Sequence, residues 1–155
     1  MNCSEIEYRI KTVSYESIVE HLNRCADCFN PPLYTYVEIE KYAKKIFDNA
    51  VTFESWDCDT LVGLVAAYFN NNETKIGFIT NVSVLEEYQD SGIASKLIKN
   101  AIHFGRKNAF VKLVLELNIN NTKAFKLYKK QGFVVTEQNK NNIIMSCPIL
   151  TDQNE

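Results

Sequence analysis

Apolar and polar positions alternate from Ile6 to Ile10, the period-two pattern of a short strand. Ser14 follows as an N-cap candidate for a helix that turns Ile18, Val19 and Leu22 inward. The stretch Phe29-Asn-Pro-Pro-Leu33 interrupts it, because consecutive prolines disfavour helix in the residues before them. Ile39, Tyr42, Ala43, Ile46, Phe47 and Ala50 then form the inward stripe of a second helix, from about Val37 to Ala50. Three strands are expected next. Val51 to Trp56 is the first, and Asp57 to Thr60 makes a polar turn. Leu61 to Phe69 is almost wholly apolar, as in a strand buried on both faces. Asn70 to Glu73 reads as a hairpin loop, after which Ile76, Phe78, Thr80, Val82 and Val84 alternate with Gly77, Ile79, Asn81 and Ser83. The three strands form an antiparallel meander.

From Gly92 the period changes to helical: Ile93, Ala94, Leu97, Ile98, Ala101, Ile102 and Phe104 fill one half of the wheel. Leu113, Leu115 and Leu117 alternate in the strand that follows, so strand, crossover helix and strand predict a right-handed parallel unit. Thr122 to Gln131 is the last helix, closed by Gly132 at C′, and Phe133–Glu137 with Asn142–Met145 make a final hairpin. The order β-α-α-β-β-β-α-β-α-β-β predicts the α/β (mixed α+β) class. One mixed, mostly antiparallel sheet of six or seven strands is flanked by four helices on its two faces. With no repeat or linker, residues 1–155 are expected to form a single domain.

Composition narrows the function classes. Hydrophobic residues are 46% and charged residues 23%, ordinary globular values. A formal charge of −2 and no basic cluster argue against nucleic acid. The longest apolar run, Leu61 to Phe69, is about half the roughly 20 residues of a membrane helix, so no membrane role is expected. The N-terminus lacks a signal-peptide pattern, which with five scattered cysteines (3, 25, 28, 58 and 147) predicts reduced thiols and a cytoplasmic location. Cys25-Ala-Asp-Cys28 has no second ligand pair, so structural cysteines and no metal are expected. His103 beside Lys96 and Lys99, and His21 on the polar side of the first helix, both read as solvated surface. A homodimer is left open.

Chemistry concentrates in two stretches. Val82-Ser-Val-Leu-Glu-Glu-Tyr-Gln-Asp-Ser-Gly-Ile-Ala-Ser95 leaves a strand, crosses an acidic loop and enters a helix at Gly92. A helix N-terminus offers unpaired N–H groups and about half a positive charge, which suits a pyrophosphate. Taken alone, the stretch fits anion binding and an ordinary tight turn equally well. The second stretch, Leu117-Asn118-Ile-Asn-Asn121-Thr-Lys-Ala124-Phe-Lys-Leu127-Tyr128-Lys-Lys-Gln-Gly132-Phe133, has the form N-x-x-N-x-x-A-x-x-L-Y-x-x-x-G-F. With Gln89-x-x-Gly92-x-Ala94, it resembles the GNAT superfamily of N-acetyltransferases. The resemblance covers Val51 to Met145 well.

The resemblance implies a sheet splayed between β4 and β5, with the pantetheine arm of acetyl-CoA in the gap. The coenzyme-binding core would be about 51–145 and the acceptor-side helices about 14–50. Val82, Ser83 and Val84 would hold the arm, and Gln89, Asp90, Ser91, Gly92, Ile93, Ala94 and Ser95 the pyrophosphate. Asn121 would contact the coenzyme, and Tyr128 would sit beside the thioester sulfur as general acid. A tyrosine hydroxyl, with a pKa near ~10, stays protonated at neutral pH and can supply the leaving thiolate with a proton. Residue 128 otherwise reads as a core tyrosine opposite Lys123, Lys126, Lys129 and Lys130.

Some family members use a glutamate on β4 as base; Phe78 stands at that position here. Thr80 and Asn81 are poor bases that can at most position a water, and Glu116 is the alternative base. Phe29, Tyr34 and Tyr36, around Pro31-Pro32, with Phe78 and Thr80 would shape the acceptor pocket. The leading expectation is acetyl transfer in a ternary complex to a primary amine of a small molecule. Phe78 motivates a second reading, a catalytically silent acyl-CoA-binding or regulatory module of the same fold.

Overall fold

The computed structural model describes residues 5–149, and its strands form one seven-stranded sheet in the order β1-β2-β3-β4-β5-β7-β6. The strands are β1 (Glu7–Ile10), β2 (Val51–Asp57), β3 (Thr60–Tyr68), β4 (Ile76–Val84), β5 (Lys112–Asn118), β6 (Val134–Gln138) and β7 (Asn142–Pro148). Four α-helices join them: α1 (Tyr15–Cys25), α2 (Ile39–Asn49), α3 (Ile93–Lys107) and α4 (Thr122–Lys130). Every neighbouring pair is antiparallel except β4 and β5. That parallel pair exists because α3 crosses over between them, as the change from two- to 3.6-residue periodicity at Gly92 predicts.

Ser14 does cap α1: its hydroxyl accepts from the Ser17 N–H at 3.1 Å. Helix α2 begins at Ile39, the first residue of its apolar stripe and two residues after the expected start. A 3₁₀ turn at Leu33–Thr35 carries the chain out of the prolines, and the Val37 N–H is already bonded to the Leu33 carbonyl. Strand β7 runs three residues further than predicted, because Ser146, Cys147 and Pro148 continue to pair with Val114, Leu113 and Lys112.

The sheet has a core on each face. Ile18 and Leu22 of α1 and Ile39, Ala43 and Ile46 of α2 bury against Leu61, Leu64 and Ala66 of β3. Leu97, Ile98 and Ala101 of α3 cover Val62, Val65 and Ala67 on the other side. Glu54, fully buried in β2, fastens the start of α1 to the sheet. Its carboxylate accepts from the N–H groups of Thr12 and Val13, the hydroxyls of Thr12 and Thr52, and the Trp56 indole. Five donors replace the hydration that burial removes.

Candidate active site

The sheet opens where the parallel pairing of β4 and β5 stops. Strands β4 and β5 are in register from Ile76 to Phe78 and from Lys112 to Val114, and have no cross-strand partners beyond. On its other side β4 slips against β3: Asn81 pairs with Ala66 and Ile79 with Ala67, so Thr80 is an unpaired bulge. A bulge bends its strand, and here it lies where the two strands part. Two cavities meet over the gap, of about 800 Å³ on the α3–α4 side and about 670 Å³ on the α1–α2 side. Phe29, Val82, Asn121 and Tyr128 line both.

The larger cavity ends on the N-terminus of α3. Gly92 is the N-cap with φ +85°, and no side chain caps it. The N–H groups of Ile93, Ala94 and Ser95 have no acceptor among the described residues. An uncapped helix start with this much free donor capacity fits an anionic group such as a pyrophosphate. Val82, Ser83, Val84, Gln89, Asp90 and Ala94 also line this cavity. The Gln89 side-chain amide donates to the Val84 carbonyl at 3.0 Å, tying the loop to the end of β4. The Ser91 hydroxyl bonds instead to the Tyr88 carbonyl. Asn121 caps α4, its side-chain oxygen accepting from the Ala124 N–H at 3.4 Å.

Lys123, Lys126, Lys129 and Lys130, which the helical wheel sets opposite Tyr128, also line this cavity. Lys123 lies 3.2 Å from the Asp90 carboxylate across its mouth. The wheel separates charge from apolar surface but says nothing about the α3 loop lying over the charged face.

Tyr128 is 8% exposed and its ring packs 5.9 Å from that of Phe133. Burial raises its pKa above the ordinary tyrosine value, so the hydroxyl is held protonated. That hydroxyl has no hydrogen bond among the described residues, and the residue lines both cavities. Glu116, exposed on β5, is the one carboxylate among the described residues lining the smaller cavity. Phe78, Thr80, Phe29 and Tyr36 line it too. Tyr34 lines neither cavity; its hydroxyl donates to Asp27 at 3.1 Å. Tyr42, which reads as helix core in the sequence, is another wall residue. Its hydroxyl donates to the Thr80 carbonyl at 2.6 Å and pins α2 to the bulge.

His21 corrects the sequence reading. It is 2% exposed, with Nδ1 3.0 Å from the Leu61 carbonyl and Nε2 2.9 Å from the Ser83 hydroxyl. Its position on the wheel is polar, but the face it occupies packs on β3 and β4. Burial pushes its pKa down to about 4, against 6.5 in the unfolded chain. The unfolded chain then binds the extra proton between those values, so stability present above pH 6.5 is lost as pH falls towards 4. About 3 kcal/mol is expected to disappear over that window. Urea unfolding at pH 7 and pH 4.5, compared with His21→Gln, measures it; an equal pH slope in the variant would assign the loss to other groups.

Cys25 lies beside that ring, 3.6 Å from Nε2, and burial pushes its thiol up to about 12, which makes it inert. Cys25, Cys28 and Cys147 are free thiols, Cys58 is disulfide-bonded against expectation, and Cys3 lies outside the described residues. Among the described residues, no cluster of three or more His, Cys, Asp or Glu is placed to hold a metal ion. No helix among them is long and apolar enough to cross a membrane.

Comparison with known proteins accounts for this geometry. The profile of the Acetyltransferase (GNAT) family matches residues 15–133. An N-alpha-acetyltransferase of Sulfurisphaera tokodaii is 28% identical over 141 residues, 82% of this chain and 80% of that protein. The N-alpha-acetyltransferase 30 of Schizosaccharomyces pombe is 26% identical over 102 residues, 61% of this chain and 68% of that protein. Among solved structures, the ribosomal-protein-S18-alanine N-acetyltransferase of Escherichia coli superposes with TM-score 0.76 at 18% identity, covering 96% of this chain and 99% of that one. The PaiA N-acetyltransferase of Thermoplasma acidophilum, solved with coenzyme A, gives 0.76 at 18% identity over 93% and 99%. At those identities the superpositions establish the fold alone. The split sheet, the uncapped α3 and the family match over most of the chain lead to one conclusion: this chain belongs to the GNAT family of acetyltransferases.

Proposed function

We propose that the chain transfers an acetyl group from acetyl-CoA to the α-amino group at the N-terminus of a peptide or protein, by direct attack in a ternary complex. The observation that carries the choice of amine is the sparse acidity of the acceptor cavity, where Glu116 is the one carboxylate among the described residues. A lysine-like amine, with a pKa of about 10.4, is roughly one part in a thousand neutral at physiological pH. An α-amine, with a pKa of about 7.7–8.0, is roughly a fifth neutral and makes little demand on a base. The N-alpha-acetyltransferases of Sulfurisphaera tokodaii and Schizosaccharomyces pombe, among the relatives, support the same reading. A cavity of about 670 Å³ also suits a drug-sized ligand, which favours a small-molecule amine as the second reading.

In this reading the coenzyme supplies an acetyl thioester. Backbone groups of Val82 and Val84 hold its arm, the N–H groups at the start of α3 hold the pyrophosphate, and Asn121 lies between. The amine nitrogen bonds to the acetyl carbon, the carbon–sulfur bond breaks, and Glu116 accepts the amine proton through solvent. The Tyr128 hydroxyl protonates the departing thiolate. Phe29, Tyr36, Phe78 and Thr80 form the acceptor wall. Positioning is the larger contribution, about 7–11 kcal/mol against about 3–6 for a general base.

The test is thiol release from acetyl-CoA with four acceptor sets: peptides with a free α-amine, Nα-blocked lysine peptides, polyamines and amino sugars. Free-α-amine peptides should turn over at least about tenfold faster than blocked ones. Preference for the blocked peptides or the small amines would overturn the α-amine assignment. Coenzyme binding without turnover of any acceptor would leave the silent acyl-CoA-binding module.

A further inference from the structure

Beneath the acceptor cavity runs a chain of buried polar groups whose donor directions can be deduced from one end. The Leu61 carbonyl can only accept, so the His21 Nδ1 bonded to it carries the hydrogen. A buried neutral imidazole then has a lone pair at Nε2, and the Ser83 hydroxyl must donate to it. The Ser83 oxygen therefore accepts from the Asn81 amide nitrogen, 2.9 Å away. The same amide nitrogen donates to the Leu64 carbonyl at 3.3 Å, which fixes the orientation independently. With both amide hydrogens directed into the protein, the side-chain oxygen of Asn81 has no partner among the described residues, although the residue is only 3% exposed.

An unpartnered buried carbonyl costs about 1–3 kcal/mol and calls for an explanation at the site where it lies. Asn81 is part of the acceptor-cavity wall, next to the Thr80 bulge and one residue before Val82, where the two cavities join. An amine attacking a thioester must direct its lone pair at the carbonyl carbon, which leaves its N–H groups facing the cavity wall. We propose that the Asn81 side-chain oxygen accepts one N–H of the incoming amine and so aims its lone pair. This assignment deepens the acetyl-transfer reading and rests on it, but it holds for a peptide α-amine and a small primary amine alike. Phe78 cannot perform this task because it has no acceptor atom, and Thr80 is already engaged with Tyr42.

The experiment uses the full chain, the four acceptor sets above, and the variants Asn81→Ala and Asn81→Asp. Coenzyme A affinity and melting temperature are measured on the same preparations. Asn81→Ala should lower kcat/KM for the best acceptor by about 10–100-fold, with coenzyme affinity within about threefold of the parent. Asn81→Asp keeps an acceptor oxygen but loses both amide donors, so its kcat/KM should stay below the parent and exceed that of Asn81→Ala by at least about threefold. A purely structural amide predicts the reverse, since Asp removes both donors and buries a charge against the Leu64 carbonyl. Unchanged kcat/KM in the Ala variant, or an Asp variant as impaired as Ala, overturns the assignment and leaves acetyl transfer standing. If the Ala variant does not fold, the Asp variant decides alone by retaining or losing acceptor turnover. No turnover of any acceptor by the parent, with coenzyme bound, overturns the enzymatic reading itself and the Asn81 role with it.

Discussion

Replacing Tyr128 with phenylalanine is expected to lower kcat by about 10²–10⁴-fold while coenzyme affinity changes little. The ring is kept, so its packing against Phe133 and the buried face of α4 should survive. What is lost is a hydroxyl with no hydrogen bond among the described residues, on a residue that lines both cavities. That makes the substitution unusually clean. A core tyrosine with a paired hydroxyl would instead lose about 1 kcal/mol of stability and keep its turnover. Burial holds the hydroxyl protonated well above neutral pH, so the variant's loss should be the same at pH 6.5 and pH 8.5. Turnover and melting temperature on one preparation separate the two outcomes. Full activity in the variant removes Tyr128 from the mechanism and leaves the coenzyme cavity intact.

The second large effect is expected at Gly92. Substitution by glutamate should weaken coenzyme binding by on the order of 10²–10³-fold, since two like charges near 4 Å repel by about 4 kcal/mol at surface dielectric. A Cβ there would meet nothing within 4 Å, so no neighbouring atom opposes the first atom of the new side chain. The φ of +85° does oppose it, at roughly 1–2 kcal/mol for a residue other than glycine. Gly92→Ala pays that strain without the charge and is the control; it should bind coenzyme within about tenfold of the parent. Calorimetric titration with coenzyme A, alongside circular dichroism, reads both. Equal affinity in the glutamate variant would mean that the phosphates bind elsewhere.

Much of the fold was legible because its periodicities are strong and change at turn residues. Leu61 to Phe69 reads as a buried strand from its composition, and the α3 stripe from its spacing. The opening between β4 and β5 was not legible from periodicity, since nothing in the alternation through Val84 marks where pairing stops; it came from the resemblance. The wheel misplaces His21 and is silent on what lies over Lys123, because a wheel reports one helix without its neighbours. His21 is buried because the polar edge of α1 lies over Ser83, and Lys123 faces a cavity because the α3 loop lies over α4. Asn81 reads in the sequence only as a poor base that can position a water. Only the hydrogen-bond partners of its amide nitrogen expose the unpartnered oxygen.

The parting of β4 and β5 also has a consequence for how the protein keeps its own strands apart from those of its neighbours. Unpaired strand edges invite pairing with other chains, and proteins usually blunt them with charge, proline or a covering element. This sheet has outer edges at β1 and β6, and β6 is exposed along its whole length. The split adds two more, residues 79–84 and 115–118. Those inner edges face each other across a gap overlain by α4, Phe29 and the α3 loop. The gap thus works as a guarded edge: its hydrogen-bonding groups are open to a slender, strand-like arm with an anionic tail, while its walls deny a foreign β-strand the length it needs to add to the sheet.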